Sequence, residues 1–158
     1  MTQGYLDLAK YNELVKHFHE ESERSAAIVL ASFLEVCLKQ FMMSFMINDS
    51  HVQDLFENYG PLSSLSACID CAYAFGFIDA QMKQDLDYIR KIRNHFAHHP
   101  DVTSFSSSPV CDWCKELSFS KNSGETNPRS QFLYSVGLII GSLHNNMLAR
   151  KLQKDNKK

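Results

Sequence analysis

The stretch between Ala26 and Ile47 constrains the fold of this chain more than any other part of it. Its apolar residues recur at helical spacing, which predicts one long helix from about residue 22 to residue 47. They cover one side of that helix and most of the adjacent side: Leu30, Ala31, Leu34, Cys37, Leu38, Phe41 and Phe45, then Val29, Phe33 and Val36. A helix that is apolar almost all round belongs in the middle of a domain, where other helices cover it.

The rest of the chain supplies those covering helices. Apolar residues at helical spacing predict further main helices over about 4–20, 61–75, 79–99 and 128–153. Gly76 and Asp79 suit the end of one helix and the start of the next, and Pro100 stops the latter. Residues 101–129 are rich in Ser, Asn and Gly and predict a long loop region with at most one short helix.

No strand alternation persists anywhere, and no internal repeat is visible. The sequence therefore predicts an all-α fold, a single-domain helical bundle of about five main helices that takes in all 158 residues. The run from Phe41 to Ile47 carries more apolar surface than a helix end needs. It is either part of the core or a surface for a partner.

Charge argues against direct binding of duplex DNA. The formal net charge is −2 and the isoelectric point is near 6.4, so the domain as a whole lacks the excess of positive charge that attracts nucleic acid. Residues 150–158 hold five of the sixteen lysines and arginines, a short tail that is more typical of a solvated helix end. No helix-turn-helix pattern stands out, so the sequence lacks a recognisable element that reads a DNA groove.

The cysteines and the apolar stretches indicate a cytoplasmic protein. The first twenty residues carry charges and no continuous apolar run of the kind found in a signal peptide. Glu35 and Lys39 interrupt the most apolar stretch, so we expect no association with a membrane. Five cysteines, an odd number without an export signal, are typical of reduced thiols in the cytoplasm.

Two Cys-x2-Cys pairs, Cys68 with Cys71 and Cys111 with Cys114, have the spacing of zinc ligands. The first pair, however, lies inside an amphipathic helix, where a cysteine acts as a small hydrophobic residue. Neither pair has the glycine on which a zinc knuckle usually turns. We therefore expect no metal and no cofactor.

The segment from Arg93 to Pro100 contains the strongest candidates for catalytic residues. Three of the seven histidines, His95, His98 and His99, fall within five positions at a predicted helix end, next to an arginine. Arginine is always charged, and histidine titrates near neutral pH. Arg93 and His98 are five apart, which is about 140° around an ideal helix. They meet only if the last turn loosens, if the arginine reaches around, or if a second subunit completes the site.

Two interpretations of this segment remain open. Cations in the last turn of a helix are favoured by the macrodipole, which would make the cluster purely structural. Alternatively, a histidine can move the proton of a ribose 2′-hydroxyl while an arginine stabilises the charge on the phosphorus centre. The second interpretation is metal-independent RNA cleavage by Arg93 and His98, with Asn94 orienting the imidazole or the phosphate.

Arg93, Asn94 and His98 form Arg-Asn-x-x-x-His, which resembles the Arg-x4–6-His motif of the HEPN superfamily. That superfamily is helical and usually dimeric, and many of its members are metal-independent ribonucleases. Most of the chain is in addition similar to the mannitol operon repressor family. The similar segments span roughly residues 23–118: ERSAAIVLASFLEVCLKQFM, LFENYGPLSSLSACIDCAYAFGFI, IRKIRNHFAHHPDVTSF and VCDWCKEL.

The second resemblance implies a helical transcriptional repressor without a recognisable DNA-binding element. Our leading hypothesis is therefore a homodimeric regulator that acts by binding another regulatory protein. The alternative is a HEPN-type endoribonuclease that uses Arg93 and His98, with Asn94 in support, on an RNA substrate. The third is a structural dimer whose histidines merely end a helix.

Overall fold

In the computed structural model of the protein, residues 22–102 and 104–155 can be described, and every regular element among them is an α-helix. This confirms the all-α fold. The amphipathic helix expected over residues 4–20 lies outside the described residues. The seven described helices are α1 (Glu23–Met43), α2 (Ser50–Phe56), α3 (Leu65–Ala74), α4 (Ala80–His98), α5 (Val110–Glu116), α6 (Ser118–Ser123) and α7 (Pro128–Asp155).

Helix α1 is the centre of the bundle, as predicted, but its second apolar side is not fully covered by the described residues, since Val29 is 42% and Val36 49% exposed. It packs against α7, α4 and α3, and Leu30, Leu34 and Leu38 on its inner side are fully buried. By length and composition alone α1 could cross a membrane, but half of that apolar stretch is buried inside the bundle. The core helix of a soluble protein has the same properties.

Local signals position most helix ends. Asp79 caps α4 by accepting a 2.8 Å hydrogen bond from the backbone N–H of Met82, and Asn127 caps α7 by accepting one of 3.0 Å from that of Ser130. Gly76 has a φ of 69°, the left-handed conformation that ends α3. These three ends agree with the sequence.

Other helix boundaries differ from the prediction. Helix α1 ends at Met43 instead of residue 47. Phe41 and Met42 are buried in the core, Met43, Phe45 and Met46 pack against it half-buried, and Ile47 is 75% exposed. Helix α3 begins only at Leu65, since Pro61 to Ser63 form a turn in which the N–H of Leu62 bonds to the carbonyl of Leu55 at 2.8 Å. Phe75, at the end of the helix predicted over 61–75, is 66% exposed because it follows the last residue of α3.

The region expected to be mostly loop contains two short helices, α5 and α6, instead of one. Phe105, just before them, is fully buried between Phe96 of α4 and Phe132 of α7, with ring centroids 4.9 and 5.1 Å apart. This aromatic row fixes the segment that follows α4 against the bundle. It therefore helps to fix the position of the end of α4, which carries the histidines.

Candidate functional site

The inner face of α4 determines which residues of the Arg–His segment are buried and which are exposed. Leu86, Ile89, Ile92 and Phe96 recur at helical spacing and are fully buried. Since they occupy the inner face, Arg93 and Asn94 lie half-buried at its edge. His98, the last helical residue, is exposed.

The structure joins two of the three predicted site residues. Arg93 Nη1 donates a 2.9 Å hydrogen bond to Asn94 Oδ1. Within the described residues no hydrogen bond joins Arg93 to His98, and α4 remains helical through His98. The last turn has therefore not loosened in the way that would bring Arg93 and His98 together within one copy.

The other two histidines of the segment form a separate pair. The rings of His95 and His99 stack with centroids 4.1 Å apart, and the ring of Trp113 meets His95 edge-on at 5.6 Å. His99 caps α4, and its backbone N–H bonds to the carbonyl of His95 at 3.0 Å. Burial lowers the pKa of His95, and the nearby His99 lowers it further, while Asp101 acts in the opposite direction. The neutral form of His95 is thus favoured.

Arg24, at the start of α1, binds the end of α4 from across the bundle. Its guanidinium donates hydrogen bonds to the carbonyl oxygens of Phe96, His99 (2.8 Å) and Val102 (2.9 Å). The carboxylate of Glu23 accepts a hydrogen bond from the backbone N–H of Phe105. A planar guanidinium with five N–H donors suits the unpaired carbonyls at a helix C-terminus.

Sequence reasoning missed this contact between α1 and the end of α4. The available signal was a charged pair, Glu23 and Arg24, at the start of a helix that is otherwise apolar. Such a pair is common at the first turn of a helix, and no local rule places it beside residues more than seventy positions later. Only the packing of α1 against α4 shows the connection.

Basic side chains along α4 all have partners within the protein. Lys83 pairs with Asp87 at 2.8 Å and with Asp70 at 3.2 Å, and Arg90 approaches Asp87 at 3.4 Å. Lys91 lies over the ring of Tyr88, 5.0 Å from its centroid. Together with the Arg93–Asn94 bond, these contacts engage the four basic residues of the helix.

One cysteine of each Cys-x2-Cys pair is buried, and the other, Cys71 or Cys111, is half-buried. Cys68 and Cys114 are fully buried, and burial raises the pKa of Cys68 to about 11 and that of Cys114 to about 12. Cys68 Sγ donates to the carbonyl of Leu62 at 3.1 Å. Within the described residues, no group of three or more His, Cys, Asp or Glu side chains could hold a metal ion.

A shallow groove, here called the α4–α7 groove, lies at the opposite end of α4. Its volume is about 200 Å³. Asp85 in its floor is only 4% exposed and accepts hydrogen bonds from the N–H (2.9 Å) and hydroxyl of Ser118, so it caps α6. Ser135 Oγ is buried without a hydrogen-bond partner among the described residues. The groove is lined by Asp79, Gln81, Met82, Asp85, Ser118, Phe119, Ser135, Leu138 and Ile139.

Comparison with known proteins identifies the family. The family model described as mannitol repressor matches residues 21–137, which is well over half of the chain. The chain belongs to the mannitol repressor family. The matched range runs from α1 into α7 and includes Arg93, Asn94 and His98.

A solved structure shows the same fold. The crystal structure of a possible transcriptional regulator, YggD from Shigella flexneri 2a strain 2457T, superposes with a TM-score of 0.62 at 15% sequence identity. The similarity covers 80% of this mannitol repressor family chain and 89% of that protein. No curated protein sequence matches significantly. The resemblance to the HEPN superfamily stays a prediction.

Proposed function

We propose that this member of the mannitol repressor family is a cytoplasmic transcriptional regulator without its own DNA-binding element. It acts as a homodimer and binds another regulatory protein, through which it reaches the transcription machinery. The family match supports the regulatory role, and the structurally similar YggD, a possible transcriptional regulator, agrees with it.

The main observation in support of this proposal is that the basic side chains of α4 already have partners within the protein. A helix that enters a DNA groove contacts phosphates and base edges with free basic side chains. The basic residues of α4 are instead engaged by Asp70, Asp87, Asn94 and Tyr88 within the same protein. With a net charge of −2, the chain gains little from releasing counterions on DNA.

Binding to DNA and to protein can be tested on the same preparation. The full chain is purified and titrated against the duplex promoter DNA of genes whose expression changes when the protein is deleted. We expect no sequence-specific binding at any salt concentration. A partner recovered by crosslinking in the native cells is then purified and should bind the full chain directly. Tight, sequence-specific binding of the promoter by this protein alone would contradict the proposal.

A HEPN-type ribonuclease is the second candidate function. The Arg93–Asn94 hydrogen bond supports it, because the bond fixes the guanidinium beside an amide while His98 stays exposed to a substrate. An exposed imidazole can exchange protons with an RNA hydroxyl, and the guanidinium can bind a phosphate. Because one copy does not join Arg93 to His98, this activity needs a second copy of the chain or a change at the helix end.

RNA incubated with the protein in EDTA tests the catalytic candidate. His98→Ala should abolish cleavage, and Arg93→Ala should reduce it strongly. His99→Ala is the matched control, because His99 belongs to the same turn but lies outside the motif. The candidate fails if wild-type protein leaves RNA intact, or if cleavage survives His98→Ala unchanged.

A further inference from the structure

One side of α1 is apolar but stays partly open to solvent. Val29, Phe33 and Val36 follow one another at spacings of four and three, so they lie within about 60° of each other on an ideal helix. Val29 and Val36 are exposed, whereas Phe33 between them packs half-buried against the core. We call these three residues the α1 ridge. An apolar ridge on the central helix of a bundle is a surface that a further element is expected to cover.

The chain changes direction immediately before α1. Ser22 has a φ of −59° and a ψ of 148°, which is not helical, and its hydroxyl oxygen accepts a 3.2 Å hydrogen bond from the backbone N–H of Ser25. This cap marks the beginning of α1, so a helix that precedes Ser22 cannot continue along the same axis. Two antiparallel helices need a connection of only about two to five residues. Residues 20–22 are therefore long enough for a helix that returns along α1.

The chain before Ser22 carries an apolar row with a matching repeat. This segment lies outside the described residues, but its sequence predicts an amphipathic helix over about residues 4–20. The row recurs at spacings of three, four and three and consists of Leu8, Tyr11, Val15 and Phe18. A short amphipathic helix gains most of its stability by burying its apolar side against another apolar surface. Helix α1 begins directly after the segment and offers such a surface.

We propose that the helix predicted over residues 4–20 folds back antiparallel onto the α1 ridge. Both helices rise by the same distance per residue, so residues equidistant from the turn at Ser22 lie opposite each other. The apolar residues of the segment and those of the ridge match in three pairs, at seven, eleven and fourteen positions from Ser22: Val15 with Val29, Tyr11 with Phe33, and Leu8 with Val36.

Length and connection favour this occupant over a separate molecule. At 1.5 Å per residue the predicted helix is about 25 Å long and α1 about 31 Å, so the segment spans the whole ridge. The short connection also keeps the segment near the ridge at an effective concentration on the order of millimolar, and a second copy or a regulatory partner would have to displace it. The α1 ridge is then part of the core, and a regulatory partner binds elsewhere on the protein.

Amide hydrogen exchange of the full chain tests whether the segment is folded on the ridge. We expect the amides of residues 8–18 to exchange roughly a hundredfold more slowly than in an unstructured chain. Val36→Asp puts a carboxylate into the interface and should speed their exchange about tenfold or more. Leu148→Asp is the matched control, because Leu148 is similarly exposed (43%) but lies on α7. Circular dichroism confirms that both variants fold.

Disulfide formation tests the register of the two helices. Cys71→Ser and Cys111→Ser first remove the two cysteines that are not fully buried. Leu8→Cys and Val36→Cys are then introduced into the same chain. Leu8→Cys with Val29→Cys is the mismatched control, because seven residues along α1 displace the second cysteine by about 10 Å. We expect the first pair to form an intrachain disulfide efficiently, in a chain that keeps the mass of a monomer without reductant, and the control pair to form little.

Other occupants of the ridge give different results, and each of these overturns the proposal. If the segment of a second copy covers the ridge, the matched cysteine pair produces a covalent dimer. If a regulatory partner covers it, Val36→Asp weakens binding of that partner and leaves the exchange of residues 8–18 unchanged. Wild-type amides in residues 8–18 that exchange as fast as an unstructured chain, or equal crosslinking by both cysteine pairs, also contradict the fold-back. The proposed regulatory role does not depend on any of these outcomes.

Discussion

Arg24 Nη2 donates a 2.8 Å hydrogen bond to the carbonyl oxygen of His99, the residue that caps α4. The first turn of α1 is thereby attached to the last turn of α4, seventy-five positions later. The same guanidinium also serves the carbonyls of Phe96 and Val102. The geometry of the histidine segment thus depends on a residue of the central helix.

Replacing Arg24 should destabilise the protein and disturb the end of α4. Arg24→Ala leaves three carbonyl oxygens without their donor, at a cost of about 1–3 kcal/mol in the free energy of unfolding. Urea unfolding measures this loss of stability. Lys115→Ala is the control, because the ion pair of Lys115 with Asp112 is exposed and screened by solvent, so its loss should change stability much less. Equal losses in the two variants would contradict the role of Arg24.

Acidification should destabilise the fold through His95. The pKa of His95 lies below its ordinary value of 6.5, chiefly because of burial and then because of His99. Well above pH 6.5, His95 is neutral in both the folded and the unfolded chain and does not change the free energy of unfolding. As the pH falls through 6.5 the unfolded chain binds the proton first, so the free energy of unfolding decreases until His95 also titrates in the folded state.

Histidine titration by NMR measures this shift directly. His99→Gln should raise the pKa of His95 part of the way towards its ordinary value, because burial still lowers it. His95→Gln should reduce the loss of stability between pH 7.5 and 5.5 in urea unfolding. A wild-type His95 pKa at or above 6.5 would show that the environment of this ring is different.

Gly60 and Gly141 should respond in opposite ways to alanine. A Cβ at Gly60 would lie 2.3 Å from the backbone oxygen of Asp54 and 2.4 Å from that of Leu55, so Gly60→Ala should cost roughly 1–3 kcal/mol. At Gly141 the same atom meets open space, and Gly141→Ala should stabilise the helix by up to about 1 kcal/mol. Thermal unfolding at low protein concentration compares them. Similar changes in both variants would contradict the geometry of the turn at Gly60.

Asp85 and Ser118 should act as one unit. Asp85→Ala leaves the buried N–H of Ser118 without its acceptor and should cost about 1–3 kcal/mol. Ser118→Ala removes only the hydroxyl partner and should cost less. A double-mutant cycle in urea should give a coupling of at least about 0.5 kcal/mol. Strictly additive effects would mean that Asp85 stabilises α6 by another route.

The sequence predicted the features that depend on neighbours along the chain. The apolar surface of residues 26–42 required a central helix, and Asp79 and Gly76 marked helix ends through their own hydrogen bonds and dihedral angles. It also indicated that Arg93 and His98 point in different directions, since helical geometry sets that angle. The start of α3 was predicted too early because the bond between Leu62 and Leu55 joins two separate segments.

By itself, then, the sequence determined the all-α class, the central helix and the residues of the Arg–His segment, because helical periodicity is a local property. Tertiary structure alone decided which of those residues meet: Arg93 with Asn94, His95 with His99 and Trp113, and Arg24 with the end of α4. Contacts between distant segments follow from how the helices pack, and no spacing along the chain records that.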